Sequence, residues 1–439
     1  MRKIIVLALL STFLLSCKEQ PKPSEQSPNA KYMEMFNRRA QQRYHPLQTP
    51  SPFVHSINNF GVDFYKTLAQ TDSGNLVISP LSIYSMLAVL TVGAAEETRA
   101  EFVKALQCEI NPDLLLDSLS RILEIHKNDT VGEYLSNFVS ATAVWPNVSA
   151  KTTPSFKKTA QRNSIELIKT DFSRADKAER AIDKWASDKT DGKIEDIIDA
   201  SEFVYPVGFV VTNAVTASAE WSRTFNTKET VPRTFYLNDG TRIDVPTMTG
   251  RTYQKEWTYG RFAQFAALSM KTSDTRLTMQ IYLPDSGFSL KQLEKLLAAD
   301  SLAVWQDSIR SAEGLLITYL PKFSFRDRQD LIPAVKSLGV NAAFGLGGTN
   351  GLGGANFSNI LVEWQGFFVG LLRHAAVVTV DEKGFDAQAV SGGMVISSAK
   401  PNPPITFDAN RPFFFTIVHN ETGLILFCGR VMRPVLEDS

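Results

Sequence analysis

The sequence predicts an α+β fold. Apolar residues recur at helical spacing early in the chain, strand-like runs dominate later, and no composition break divides the two regions. Ile57, Phe60, Phe64 and Leu68, three and four residues apart, make one amphipathic helical face. The pattern continues from Ser79 to Val92 and from Glu96 to Leu106. Ser79-Pro80 supplies a cap and a proline for the first helical turn. A further helix over Lys177 to Lys189 carries Ile182 and Trp185 on one side. Val207 to Val215 is apolar and rich in β-branched residues, the signature of a strand buried on both faces. Leu277 to Leu283 alternates and then stops at Pro284-Asp285. Val377 to Val380, Phe413 to Val418 and Leu424 to Val431 follow, with a hairpin turn at Asn420-Glu421-Thr422-Gly423.

Forty-six Lys and Arg balance 46 Asp and Glu in the 439 residues, so no general electrostatic attraction to nucleic acid is expected. The chain opens Met1-Arg2-Lys3 and runs apolar from Ile4 to Leu15. About a dozen apolar residues behind two positive charges fit a secretory signal, because a spanning helix needs about 20. The run ends Leu14-Leu15-Ser16-Cys17, which resembles a bacterial lipobox; the plainer alternative is a signal peptide with a chance cysteine. The lipobox reading makes Cys17 a lipid anchor. Lys18-Glu19 after it look like sorting to the outer membrane, leaving open an extracellular or periplasmic face. Residues 18–51 are polar and proline-punctuated and read as a disordered tether; 52–439 read as one domain. Cys108 and Cys428 make no disulfide framework, and Cys428 lies in an apolar run that points to a buried free thiol.

The usual catalytic signatures are missing. No H-E-x-x-H, G-x-S-x-G or P-loop motif occurs, and the five histidines lack metal-ligand spacing. The stretch from Gly345 to Gly354 fails the dinucleotide spacing and reads as a surface loop. No enzyme, metal or cofactor is expected.

A family becomes visible from residue 75. Asn75-Leu76-Val77-Ile78-Ser79-Pro80-Leu81-Ser82-Ile83 resembles the serpins, and the match continues in order. Ile182-Asp183-Lys184-Trp185, Asn213-Ala214 with Trp221 and Phe225, and Leu320-Pro321-Lys322-Phe323 follow. Ala355-Asn356-Phe357-Ser358-Asn359-Ile360, Asp381-Glu382-Lys383-Gly384, Arg411-Pro412-Phe413-Phe414-Phe415 and the run from Thr422 to Val431 complete it. The resemblance implies a serpin-like fold with three β-sheets, about nine helices and an exposed reactive-centre loop. Inhibitory serpins offer that loop as bait. The target protease cleaves it and is acylated, the freed loop inserts as an extra strand into the large sheet, and the distorted acyl-enzyme is trapped.

By this resemblance the loop runs from Gly384 to about Pro404, with a hinge at Glu382, Gly384, Phe385, Ala387, Ala389 and Ser391. Period two puts Phe385, Ala387, Ala389, Ser391 and Gly393 on one face. Asp386, Gln388, Val390 and Gly392 lie on the other, so both strongly polar residues sit opposite the small and apolar ones. No proline interrupts Gly384 to Lys400. Two residues depart from the inhibitory pattern. Phe385 stands where a small Thr or Ser is usual, and an overpacked ring costs about 1–3 kcal/mol; Gln388 replaces another small residue. Loop length places the scissile bond at Ser398-Ala399, and a small residue there suits elastase-like or subtilisin-like serine proteases. Pro401 disfavours cleavage after Lys400. The resemblance also groups Ser79, Ser82, Asn213 and His374 under the centre of the large sheet as a hydrogen-bonded gate, with Trp221 near the top. A satisfied core cluster is the plainer reading of the same residues.

The function expected is therefore inhibition of serine endopeptidases by a monomeric, lipid-anchored suicide substrate in the cell envelope. The alternative is a non-inhibitory serpin-like binding lipoprotein that is cleaved without trapping.

Overall fold

The computed structural model describes residues 51–108, 110–127, 136–203, 207–253, 257–309, 314–345, 354–363, 368–385 and 403–436. Nine α-helices and three β-sheets are present among them. Along the chain run α1 (Pro52–Thr71), β1 (Leu76–Ile78), α2 (Pro80–Gly93), α3 (Glu96–Ala105), α4 (Leu115–Lys127), β2 (Asn137–Pro146), α5 (Pro154–Arg162), β3 (Glu166–Leu167), α6 (Ala175–Lys189) and β4 (Phe209–Glu220). Then come β5 (Val231–Tyr236), β6 (Arg242–Thr252), β7 (Trp257–Arg261), β8 (Phe265–Lys271), β9 (Leu277–Pro284), α7 (Leu290–Leu296), α8 (Ala299–Ser308), β10 (Leu316–Pro321), β11 (Phe323–Asp330) and α9 (Ile332–Ser337). The chain ends with β12 (Val369–Val380), β13 (Gly384–Phe385), β14 (Ile405–Asp408), β15 (Phe413–His419) and β16 (Ile425–Val431).

Three helices start with the same device. Ser51, Ser79 and Thr153 each accept a hydrogen bond from a backbone N–H three residues on, and a proline follows in the first turn. Helix α2 is buried almost all round, which makes it the central helix of the larger core. Ile57, Phe60, Phe64 and Leu68 of α1 are all buried, as their spacing predicts.

The large sheet has the order β11-β12-β13-β4-β2-β3. Its faces pack against different cores. Val211 and Val215 of β4 and Leu372 and Ala376 of β12 face the main core that contains α2. Their neighbours Val210, Ala214, Leu371 and Ala375 face a second core with Ile182 and Trp185 of α6. The other sheets run β1-β16-β15-β9-β8-β7 and β14-β10-β6-β5.

The sequence patterns misjudge two features. Strand β4 continues past Val215 to Glu220, where small and polar residues alternate and no longer form an apolar run. Strand β2 lies among the helices of the first half and pairs with β4 along its whole length; its mixed Ser, Thr and Ala content hides it from an apolar-run criterion. Cys428 is a buried free thiol whose pKa burial pushes up, and Cys108 is free and half-buried. No helix among the described residues is long and apolar enough to cross a membrane, and no group of His, Cys, Asp and Glu among them could hold a metal ion. Cys17, residues 18–50 of the tether and residues 346–353 of the glycine-rich stretch lie outside the described residues, while Ser51, expected in the tether, caps α1.

Candidate functional site

The site lies where β12 turns back on itself. Asp381 follows β12, and its Oδ1 accepts the backbone N–H groups of Lys383 (2.8 Å) and Gly384 (3.1 Å). Its own N–H donates to the Gly384 carbonyl at 3.0 Å. An aspartate bonding the backbone two and three residues ahead closes a tight turn. The chain therefore reverses, and Phe385 pairs antiparallel with Val380.

This turn is fastened to the segment after β4. Trp221 N–H donates to Lys383 O and Phe225 N–H to Glu382 O, both at 2.8 Å, while Trp221 Nε1 donates to Asp381 O at 3.0 Å. The buried Glu382 carboxylate accepts from Thr230 Oγ1 (2.7 Å) and Lys322 Nζ (2.8 Å). Burial pushes this carboxyl up, but Lys322 and Thr230 outweigh it and hold the pKa below the ordinary glutamate value.

The expectation that the exposed loop begins at Gly384 is corrected for its first two residues. Gly384 and Phe385 are buried strand residues: they pair with Glu220 and Ala219 of β4 on one side, and Phe385 pairs with Val380 on the other. Phe385 is 1% exposed, and its ring meets the Trp221 indole edge-on, with centroids 5.5 Å apart. Phe385 is thus already seated between two strands, where the sequence suggested a ring too bulky to enter readily. The room comes from the sheet itself, because β12 and β4 are parted at this end. Below, they pair directly and in parallel, from Val369 with Phe209 to Ala376 with Val215. Ala387, Ala389, Ser391, Ser398 and Ala399 lie outside the described residues.

Under the closed stretch, the structure brings Ser79, Ser82, Asn213 and His374 together, all fully buried. Ser79 N–H donates to His374 Nε2 at 3.2 Å, and Ser79 Oγ caps α2 by accepting from Ser82 N–H. Ser82 Oγ lies 3.0 Å from Ser140 Oγ. Asn213 Nδ2 donates to Ser140 Oγ (3.3 Å) and Thr142 Oγ1 (3.1 Å). Asn213 and His374 are direct partners across the β4–β12 seam. Because Nε2 accepts, the neutral imidazole carries its proton on Nδ1. Burial lowers the His374 pKa to about 3, so neutral is its resting state. His374 Nδ1 and Asn213 Oδ1 have no hydrogen-bond partner among the described residues. One is a donor and the other an acceptor, at one level of the seam and on the α2 side.

Sequence reasoning did not find Ser140, Thr142 or Asp327. Asp327 on β11 accepts from Val77 N–H (2.8 Å) and Gln329 Nε2 (2.6 Å), and Gln329 is the cross-strand partner of His374. Burial raises the Asp327 pKa to about 6. The polar alternation Ser140-Ala141-Thr142 was a usable signal, but nothing local in it reveals Asn213 as the partner.

A mixed fold with these three sheets, one of which holds Gly384–Phe385 between β12 and β4, defines the class. The family model described as Serpin (serine protease inhibitor) matches residues 55–434, and the chain belongs to the serpin family. The leukocyte elastase inhibitor of Xenopus laevis is 29% identical over 389 residues, which cover 86% of this chain and 98% of that protein. The native structure of the thermophilic serpin tengpin superposes with a TM-score of 0.76 at 23% identity, over 89% of this chain and 96% of tengpin. Human thyroxine-binding globulin complexed with thyroxine gives 0.76 at 21% identity, over 87% and 98% of the two chains. At such identities the likeness of the two structures is one of fold.

Proposed function

We propose that this serpin inhibits serine endopeptidases as a suicide substrate, by cleavage of its loop and insertion of the freed arm between β4 and β12. One observation carries the reading. The register that pairs Phe385 with Ala219 and Val380, continued down the seam, brings Ser391 opposite both Asn213 and His374. Strand alternation puts Ser391 on the same face as Phe385. A hydroxyl both donates and accepts, so Ser391 would answer the unpaired Asn213 Oδ1 and the unpaired His374 Nδ1–H together. Among the described residues of the uncleaved sheet both groups are buried and unsatisfied, at about 1–3 kcal/mol each. Insertion removes that cost and adds a ladder of backbone hydrogen bonds.

Small residues at Ser398-Ala399 fit an elastase-like or subtilisin-like target, in keeping with the name of the Xenopus relative. The chain acts in this reading as an inhibitor with no catalysis of its own. We also propose that it works as a monomer tethered to the cell envelope through lipid on Cys17. Incubation with pancreatic elastase and with subtilisin tests the inhibition. A covalent adduct stable in SDS, with release of a C-terminal peptide beginning at Ala399, is the expected result; clean cleavage with full recovery of protease activity refutes it. With Phe385 already seated in the sheet, the departure at Gln388 is what still favours the second reading, a serpin that is cleaved without trapping. Tritiated palmitate fed to cells producing the chain should label the wild type and not Cys17→Ser.

A further inference from the structure

We infer that Phe385 is a positioning residue: its ring, seated against Trp221, is a wedge that holds β4 and β12 apart at one end and so starts strand insertion before any cleavage occurs. The inference rests on the insertion reading above, and it reverses the expectation that a large ring at this position obstructs entry. An extra strand can enter a closed seam only after the first backbone pairs across it are broken, and those first breaks gain nothing until new pairs form behind them. In this chain that stage is complete at the upper end. Gly384 and Phe385 already bond to β4, and Phe385 to β12, while direct β4–β12 pairing begins only below, at Ala376 with Val215.

What keeps the wedge seated is specific to these residues. The turn before it is fixed by Asp381 and by the Glu382–Lys322 and Glu382–Thr230 contacts. Those anchors stop at Gly384, which has no side chain to hold it. Phe385 contributes the first apolar side chain inside the sheet, and it is buried on the α2 side with Trp221 as its aromatic neighbour. A Thr or Ser there would expose its backbone pairs to solvent competition with little apolar area to retain them. The ring therefore biases the hinge toward the seated state. After cleavage the arm extends a strand that is already two residues long, so insertion competes better with hydrolysis of the acyl-enzyme. Pre-organisation of this kind lowers the cost of the later event without changing its end state.

Two variants test this, Phe385→Ala, which removes the ring, and Phe385→Leu, which keeps an apolar filling. Seating is read without any target protease, by trypsin at the Lys383–Gly384 bond and peptide mass. The wild type and Phe385→Leu should resist cleavage there, and Phe385→Ala should be cut. Insertion is read by the time course of the gain in thermal stability after a nick near Ser398, and trapping by the fraction of elastase held as adduct. Phe385→Ala should gain stability more slowly and trap a smaller fraction, with Phe385→Leu close to wild type. The inference is overturned if Phe385→Ala remains seated, or if it leaves the sheet and still inserts and traps as fast as wild type. A wild type that gains stability after the nick but forms no adduct refutes the trapping reading alone, and the stability time course then decides the wedge. A wild type that gains no stability refutes both.

Discussion

His374 and Asp327 face each other's neighbours across the β11–β12 pair and respond to acid in opposite directions. His374 titrates at about 3 in the fold and His419 at about 4, both pushed down first by burial, against an ordinary value near 6.5. Their folded pKa values are depressed, so protonation favours the unfolded chain. The stability they carry is complete above pH 6.5 and is lost as pH falls from there toward the folded values. At pH 5 the loss is about 2 kcal/mol for each. Asp327 has a raised pKa of about 6, so its carboxylate disfavours the fold above pH 6 and its contribution returns as pH falls toward 4. At pH 5 it returns about 1 kcal/mol. The histidines outweigh it, and the uncleaved protein should be less stable at pH 5 than at pH 7.5 by on the order of 3 kcal/mol, read from urea midpoints. Asp327→Asn should steepen that acid loss. A pH-independent midpoint would show that His374 is not held neutral by burial.

At the scale of elements, the close approach of α1 to the start of α2 sets the position of Ser79. A methyl group placed on Gly61 would lie 2.3 Å from Pro80 Cβ, so only hydrogen fits between the two helices. Ala at that position gains about 1 kcal/mol of helix propensity, while overpacking costs about 1–3 kcal/mol and moves Pro80. Gly61→Ala should therefore lower the thermal midpoint despite its better propensity; a raised midpoint would mean that the helices separate freely. Pro80 and its cap were legible in the sequence because capping is local. So were the buried stripe of α1 and the final hairpin, where Gly423 takes a positive φ of 69°. The face of Phe385 was legible for the same reason, since alternation is a local property. Its neighbours were not. The parted end of the sheet depends on Trp221 and Ala219, more than 160 positions earlier in the chain, and on a turn held by Asp381. Volume reasoning gave the ring's size correctly, but it assumed a closed sheet and so misplaced the cost.

At the scale of the whole molecule, the seam between β4 and β12 lies in the sheet that separates two cores, and whether it opens decides what the protein does. A strand entering from Phe385 downward forms backbone hydrogen bonds to both flanking strands. With about ten such bonds at about 1 kcal/mol net each, the gain is on the order of 10 kcal/mol, comparable to the whole stability of an ordinary domain. Ordering the arm offsets part of this, yet the unfolding midpoint of the nicked chain should still rise by more than about 10 °C. A binding protein with a loose loop predicts the opposite, since a cut in an external segment leaves both cores as they were. Ser391→Ala separates insertion from any indirect effect of the cut. Uncleaved, this variant should melt with the wild type, because in the insertion reading Ser391 joins the seam only after the cut. Once nicked, it should gain less, by about 2–6 kcal/mol, because Asn213 Oδ1 and His374 Nδ1–H then both stay unpaired inside a finished sheet. An equal gain in both chains would place the arm in another register. A midpoint unmoved by the nick in either chain would leave the seam closed and remove the basis for trapping.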